Sequence, residues 1–299
     1  MKKNILSIFF MAVLLLSGCV DPDTTSLDMA GMFYGNSPRV DQRFAESQAY
    51  NAKAGYATVR SLTENYRIYV HTDSHVTDTR RNLEYFVRQY RSDLNCPVAI
   101  HLGDLIDAQN HWEYMWKTYT DIPQNPIKLR GDTLFVMAGN HDIYFGQWEQ
   151  YKQYGKTSSY YFIVKTPLGK RDFFLVLDSA EGTLGTDQMK WFREILDWAD
   201  KQNFRHKVVC SHTHLFKADG SQGHTSNFEL EETYEMLSLM KRHGVEMYWS
   251  GHDHSREVVT TGGVTCIVVD ALLDSGNPAG YMIATMGDKI DYEFETIER

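Results

Sequence analysis

Five short stretches of the chain have the length and Val/Ile/Phe content of buried strands. They are Arg67-Ile-Tyr-Val-His-Thr72, Val98-Ala-Ile-His-Leu102, Thr133-Leu-Phe-Val-Met-Ala138, Lys207-Val-Val-Cys-Ser211 and Val245-Glu-Met-Tyr-Trp-Ser250. Helical periodicity separates them. Leu83, Phe86, Val87, Tyr90 and Leu94 recur at helical spacing between the first and second runs, a βαβ pattern that predicts adjacent parallel strands with an outer helix. The stretch Ala108 to Lys128 is rich in aromatic residues and reads as a packed helix rather than a substrate platform, with His111 the member most expected to face a site. Thr186 reads as the N-cap of a helix whose stripe is Met189, Phe192, Ile195, Leu196 and Ala199. Leu230, Tyr234, Leu237 and Met240 define one side of another, from Glu229 to His243, that ends in cationic residues and Gly244.

Other stretches read as antiparallel pairs. Ser159 to Lys165 and Asp172 to Asp178 flank the turn Pro167-Leu-Gly-Lys170, and Tyr281 to Met286 and Lys289 to Ile297 flank a two-residue turn at Gly287-Asp288. With Val264 to Asp270 they make the tail all strand. A helix-containing first part followed by antiparallel strands predicts an α/β chain with two sheets face to face and helices outside. Asp41 to Ala54 reads as a short helix lying across that body.

The N-terminus departs from this pattern. Lys2 and Lys3 precede an apolar run, Ile5 to Leu16, that is short for a membrane span. The run ends Leu16-Ser-Gly-Cys19, which resembles a bacterial lipoprotein processing site. The division expected is a signal peptide at 1–18, a tether and strap at 19–60 and the main domain at 61–299. Lipidation of Cys19 would anchor the chain stably in the bacterial cell envelope, with the membrane face left open. Cys96, Cys210 and Cys266 remain; Cys210 and Cys266 lie in apolar runs and read as buried, and one disulfide is compatible with an oxidising envelope.

Composition is that of an ordinary globular protein, 42% hydrophobic and 23% charged, with a formal net charge of −9. A nucleic-acid partner, which would call for a basic footprint, is not expected.

The candidate chemistry lies where the five runs end. They open into Asp73-Ser-His75, Gly103-Asp104-Leu-Ile-Asp107, Gly139-Asn140-His141-Asp142, His212-Thr-His214 and Gly251-His252-Asp-His254. Side by side, five such strands would bring five polar loops to one rim. A single histidine inside an apolar run is a core residue by default, so His71 and His101 are set apart from this group. Taken in order, the blocks resemble the calcineurin-like metallophosphoesterase family: Asp-x-His, Gly-Asp, Gly-Asn-His-Asp/Glu, a single His, then Gly-His-x-His, from about Arg67 to the C-terminus.

The resemblance implies a four-layer α/β/β/α sandwich of two mixed β-sheets flanked by helices. It also implies two divalent metal ions (Mn, Fe, Zn or Co) and hydrolysis of a phosphomonoester or phosphodiester by a hydroxide bridging them. Carried over residue by residue, Asp73, His75 and His254 would bind one metal, Asn140, His212 and His252 the other, and Asp104 would bridge. His141 would be the proton donor to the leaving group, with Asp142 holding its ring and keeping it charged. His214, Asp107, His111 and His224 are candidates for the surrounding shell or for substrate contact. The purple acid phosphatases, a related group, place a Tyr where this chain has Asp107, so no ferric–tyrosinate site is expected. The partners implied are a phosphorylated small molecule or envelope substrate, and the membrane through the lipid anchor. Two competing readings are a non-catalytic binder of phosphorylated envelope glycans or lipids, and a nuclease.

Overall fold

The computed structural model describes residues 37–107, 110–124, 133–216, 227–275 and 278–298. In chain order the elements are α1 (Val40–Ala54), β1 (Ala57–Arg60), β2 (Tyr66–His71), α2 (Arg81–Ser92), β3 (Val98–His101), α3 (Trp112–Asp121), β4 (Thr133–Val136), α4 (Asn140–Ile143), α5 (Trp148–Tyr154), β5 (Tyr160–Lys165), β6 (Arg171–Val176), α6 (Gly185–Asp200), β7 (His206–Cys210), α7 (Leu230–Arg242), β8 (Met247–Ser250), β9 (Glu257–Thr261), β10 (Val264–Val268), β11 (Ala279–Met286) and β12 (Ile290–Ile297).

Pleating divides each central strand between two apolar layers. Ile68 and Val70 of β2, Ile100 of β3, Phe174 and Val176 of β6, Val208 of β7 and Trp249 of β8 point into one shared layer. Tyr69 and Ala99 point the other way, onto Phe86 and Val87 of α2 and Met115 of α3. Phe173, Leu175, Val209 and Tyr248 meet Phe192, Leu196, Met236 and Met240 of α6 and α7. Strands buried on both faces read as continuous apolar runs, which is why the sequence displays them so clearly. The architecture is the four-layer α/β/β/α sandwich. One sheet has the order β1-β5-β6-β7-β8-β10-β9 and the other β12-β11-β2-β3-β4, both with parallel and antiparallel pairs.

The five strands that feed the polar loops do not form one side-by-side set. β2, β3 and β4 pair in parallel in the smaller sheet, while β7 and β8 pair in parallel in the larger. The rim therefore lies on the seam between sheets, bridged by the parallel pair Thr72–Ala271.

The α1 strap is fastened to loops beside that seam. Arg43 and Asp178 are both fully buried and pair at 2.8 Å. Glu181 accepts the N–H of Val40 at the start of α1, and Asp41 accepts the N–H of Asp187 in the first turn of α6. The Ser37 hydroxyl donates to the carbonyl of Ile143. β1 follows directly and pairs with β5, so the sheet begins within the 19–60 segment.

Several local expectations change. Thr186 lies inside α6; the N–H of Gly185 is instead accepted by the Thr183 hydroxyl. Helix α7 buries Thr233, Met236, Leu239 and Met240, whereas Leu230 and Tyr234 are exposed. Leu94 lies beyond α2 and is exposed. The last hairpin pairs Met286 with Ile290, so its loop has three residues, Gly287-Asp288-Lys289, rather than two. Cys96, Cys210 and Cys266 are buried free thiols, and no disulfide joins them. Among the described residues no helix is long and apolar enough to cross a membrane. Cys19, the tether to Asn36, and His224 with most of its loop lie outside the described residues.

Candidate metal centre

Three glycines set how closely the polar loops approach. A Cβ on Gly103 would come within 2.7 Å of the His212 ring, and Gly103 also has φ +105°. A Cβ on Gly139 would overlap the Asp104 carboxylate, and one on Gly251 would overlap the Thr72 hydroxyl. Gly139 has φ −100°, so it is required for close approach and not for a left-handed turn.

With the loops this close, the candidate donors among the described residues form three groups, one of which, His75 with Asp107 and His141, shares His75 with the first of the two described next. Asp73, His75 and His254 bring one donor atom each into mutual proximity, and so do Asp104, His212 and His252. Asn140 joins the second group, its Oδ1 3.0 Å from His212 Nε2. The carboxylate of Asp104 touches both: its Oδ2 lies 3.5 Å from His75 Nε2 and 3.4 Å from His212 Nε2.

The backbone that delivers them is unusual. Asp73, His75, Asp104, His252 and His254 all have positive φ, between 37° and 72°. Left-handed backbone costs a non-glycine residue about 1–2 kcal/mol, and such strain concentrates at functional sites. The paired ligands are thus presented from left-handed turns, not from the extended turn that their two-residue spacing suggests.

Hydrogen bonds fix the rings. The Leu102 carbonyl lies 3.0 Å from His212 Nδ1, so Nδ1 carries the proton and Nε2 faces inward. His214, a candidate for the surrounding shell or for substrate contact, packs its ring 6.0 Å from that of His252. The Ser179 hydroxyl accepts the main-chain N–H of both His212 and Thr213. Ser179 follows Asp178, the partner of Arg43, so the strap is tied to the His212 loop. Ser179 sits in no motif, and no signal in the sequence singles it out. Below the site, His71 is held between the Ile100 carbonyl and Tyr119, and His101 contacts Ser74, as expected of core residues. Burial keeps His71 well below the usual imidazole range and lowers His101 to about 3.

Asp142 does not hold the His141 ring. Its carboxylate accepts the main-chain N–H groups of Gly139, Asp104 and Leu105, pinning two motif loops together. Burial and the adjacent Asp104 charge raise it to about 8, against hydrogen bonds that favour the ionised form. The His141 ring is held by Asp107 instead. Nδ1 lies 3.3 Å from the Asp107 carbonyl and 3.4 Å from its carboxylate. A carbonyl only accepts, so Nδ1 donates and Nε2 is left to face the site. His111 pairs with Asp78, 3.5 Å away, and belongs to neither donor group.

The donor set fits metal ions. Asp73 Oδ1 is buried, and what faces it is imidazole nitrogen, His254 Nε2 at 3.2 Å and His75 Nε2 at 3.5 Å. Imidazole nitrogens face each other across both groups, His75 Nε2 to His254 Nε2 at 3.1 Å and His212 Nε2 to His252 Nδ1 at 3.2 Å. Lone pairs so close need a proton or a cation between them. Without metal, protons serve. Burial opposes charge on His75, but hydrogen bonds to Asp107 and Asp73 prevail and raise it to about 10. His212 rises to about 9 as Asp104 outweighs burial. The partners hold Asp73 well below the usual carboxylate range, again against burial. Because an imidazolium must deprotonate to bind metal, loading near pH 7.5 should release protons. Affinity should therefore fall as the pH is lowered. Titration calorimetry in buffers of different ionisation enthalpy measures the release; no release would show that His75 and His212 are already neutral before loading.

A family model described as calcineurin-like phosphoesterase matches residues 66–256, an interval that contains every candidate ligand. Among solved structures, the fold is similar to a dimetal phosphatase from Danio rerio (TM-score 0.58, 14% identity, covering 78% of this chain and 98% of that one). It is similar to the anchor in the inner membrane complex of Plasmodium (TM-score 0.55, 16% identity, 78% and 84%). It is also similar to a purple acid phosphatase from yellow lupin (Lupinus luteus) seeds (TM-score 0.58, 12% identity, 78% and 52%). No curated protein matches the sequence.

Proposed function

Because the chain belongs to the calcineurin-like phosphoesterase family, we propose that it hydrolyses a phosphate mono- or diester at a centre of two divalent metal ions. The observation that carries this reading is the position of Asp104 Oδ2, within 3.5 Å of an imidazole nitrogen from each donor group. One carboxylate oxygen shared by two sets of nitrogen and oxygen donors suits a bridged pair of cations. Asp73, His75 and His254 would hold one ion, Asn140, His212 and His252 the other. Bound there, the ions would lower the pKa of a water and neutralise charge on the phosphoryl oxygens. Mixed imidazole, carboxylate and amide ligands suit Mn, Fe, Zn or Co, and Asp107 in place of a tyrosine argues against a ferric–tyrosinate centre.

The remaining chemistry belongs to His141. Its Nδ1–H is engaged by Asp107, and its Nε2 can give a proton to the departing oxygen. A binder of phosphorylated glycans or lipids would have no use for that proton donor. Similar folds occur in an anchor as well as in phosphatases, so it is the proton donor that favours the hydrolase reading. The net charge of −9 argues against a nuclease. The pattern around Cys19 supports a lipid-anchored protein of the bacterial envelope, with its substrate there.

Turnover of p-nitrophenyl phosphate and of bis-p-nitrophenyl phosphate with added Mn tests the proposal. Hydrolysis of one over the other assigns monoesterase or diesterase. Metal-loaded protein that binds phosphate but turns over neither ester would favour the binder.

A further inference from the structure

A row of aromatic rings leads away from the donor groups. His75 and His141 meet edge to face, 4.5 Å between centroids. His141 and Tyr144 are 5.3 Å apart, and Tyr144 and Phe145 are 6.1 Å apart. Phe145 is 55% exposed, among the most exposed large apolar side chains in the described residues. It also has left-handed backbone, φ 56° and ψ 30°, a poor choice for a bulky residue and an easy one for glycine. An exposed aromatic ring on strained backbone, four residues after the proposed acid, points to use rather than packing.

The turn is also rigid. Gln147 is buried; its side-chain amide donates to the His141 carbonyl and accepts from the Trp112 indole, while its main-chain N–H donates to the Tyr144 carbonyl. The main chain that carries the two rings is thereby held at both ends.

We propose that Tyr144 and Phe145 form a platform for the leaving group, and that the substrate is a phosphate ester of an alcohol bearing an aromatic ring. This rests on the hydrolase reading above. An acid must stand against the leaving oxygen, so whatever that oxygen carries lies along His141, on the Tyr144 and Phe145 side. A flat face there contributes mainly by stacking.

The test uses metal-loaded protein and esters whose alcohols differ little in acidity: benzyl, cyclohexylmethyl and ethyl phosphates, or the corresponding methyl diesters if the wild type is a diesterase. Wild type should prefer benzyl to ethyl in kcat/KM. Phe145→Ala should shrink that preference about five- to tenfold, leaving ethyl within about twofold, and Phe145→Tyr should restore it. Phe145→Gly should lose the preference while melting no lower than wild type, because glycine relieves the left-handed strain. Equal losses on all three esters, an unchanged preference, or a clear fall in melting temperature for Phe145→Gly would overturn the platform. Titration with benzylphosphonate and ethylphosphonate supplies a readout independent of turnover. If no ester is hydrolysed but wild type still binds benzylphosphonate more tightly and Phe145→Ala does not, the hydrolase reading fails and the platform stands. Equal affinity of wild type for both phosphonates overturns the platform.

Discussion

Asp104→Asn should empty both metal positions and reduce turnover by at least about a thousandfold, the scale of losing several kcal/mol of charge stabilisation. The substitution keeps the shape of the side chain. It can keep the hydrogen bond from the His141 N–H to Oδ1, 2.8 Å in the wild type. What it removes is the negative charge at Oδ2, which stands between His75 and His212. His254→Ala is the control: it takes a ligand from one group only, from a side chain 39% exposed. Elemental analysis should find about two metals per chain in the wild type, close to one after His254→Ala, and markedly less than one after Asp104→Asn. Full retention of both metals by Asp104→Asn would sink the paired-ion assignment.

What the sequence conveyed about this site follows from what short motifs can encode. Asp73, His75, Asp104, Asn140, His212, His252 and His254 sit at the ends of apolar runs, and a run buried on both faces is conspicuous. The geometry of those ends was not legible. The residues at φ 37° to 72° are Asp and His, which enter that region more readily than other non-glycine residues but far more often lie outside it, so five strained positions look like ordinary loop residues. Main-chain hydrogen bonds are equally silent: nothing in Asp142 announces that it receives three N–H groups from two loops. Ser179 acts on the His212 loop from 33 residues away, through its hydroxyl.

The fold shows the same division. The central strands were legible because both of their faces are apolar. β1 and β9 are edge strands, exposed or half-buried along their length, and offer no apolar alternation to read. Helix α7 carries two overlapping stripes. Leu230, Tyr234, Leu237 and Met240 fit helical spacing as well as Thr233, Met236 and Met240 do. Only packing against α6 and the larger sheet selects the second. That selection leaves Tyr234 64% exposed.

The exchange of partners at His141 changes which neighbour matters for catalysis. His141→Asn should leave metal content nearly intact if His141 serves as the acid, because the two groups that Asp104 joins are complete without it; a loss of metal would instead make the cluster of His75, Asp107 and His141 a ligand set. A general acid matters in proportion to how badly the leaving group needs a proton. Nitrophenolate departs readily as an anion and an alkoxide does not. The variant should therefore slow esters of alkyl alcohols about a hundredfold or more and nitrophenyl esters clearly less. Asp107→Asn should repeat that leaving-group dependence at smaller size, since it removes the carboxylate 3.4 Å from His141 Nδ1 while the Asp107 carbonyl remains. Asp142→Asn should behave differently. An amide has one acceptor oxygen for three N–H groups, so the Gly139 and Asp104 loops should loosen, lowering metal content and slowing every ester alike. Measuring kcat and KM of the three variants on a matched alkyl and nitrophenyl pair, with metal content alongside, separates these roles. Equal losses on both esters for His141→Asn, appearing mainly in KM, would make His141 a ground-state phosphate contact. A leaving-group dependence in Asp142→Asn but not in Asp107→Asn would return the orienting role to Asp142.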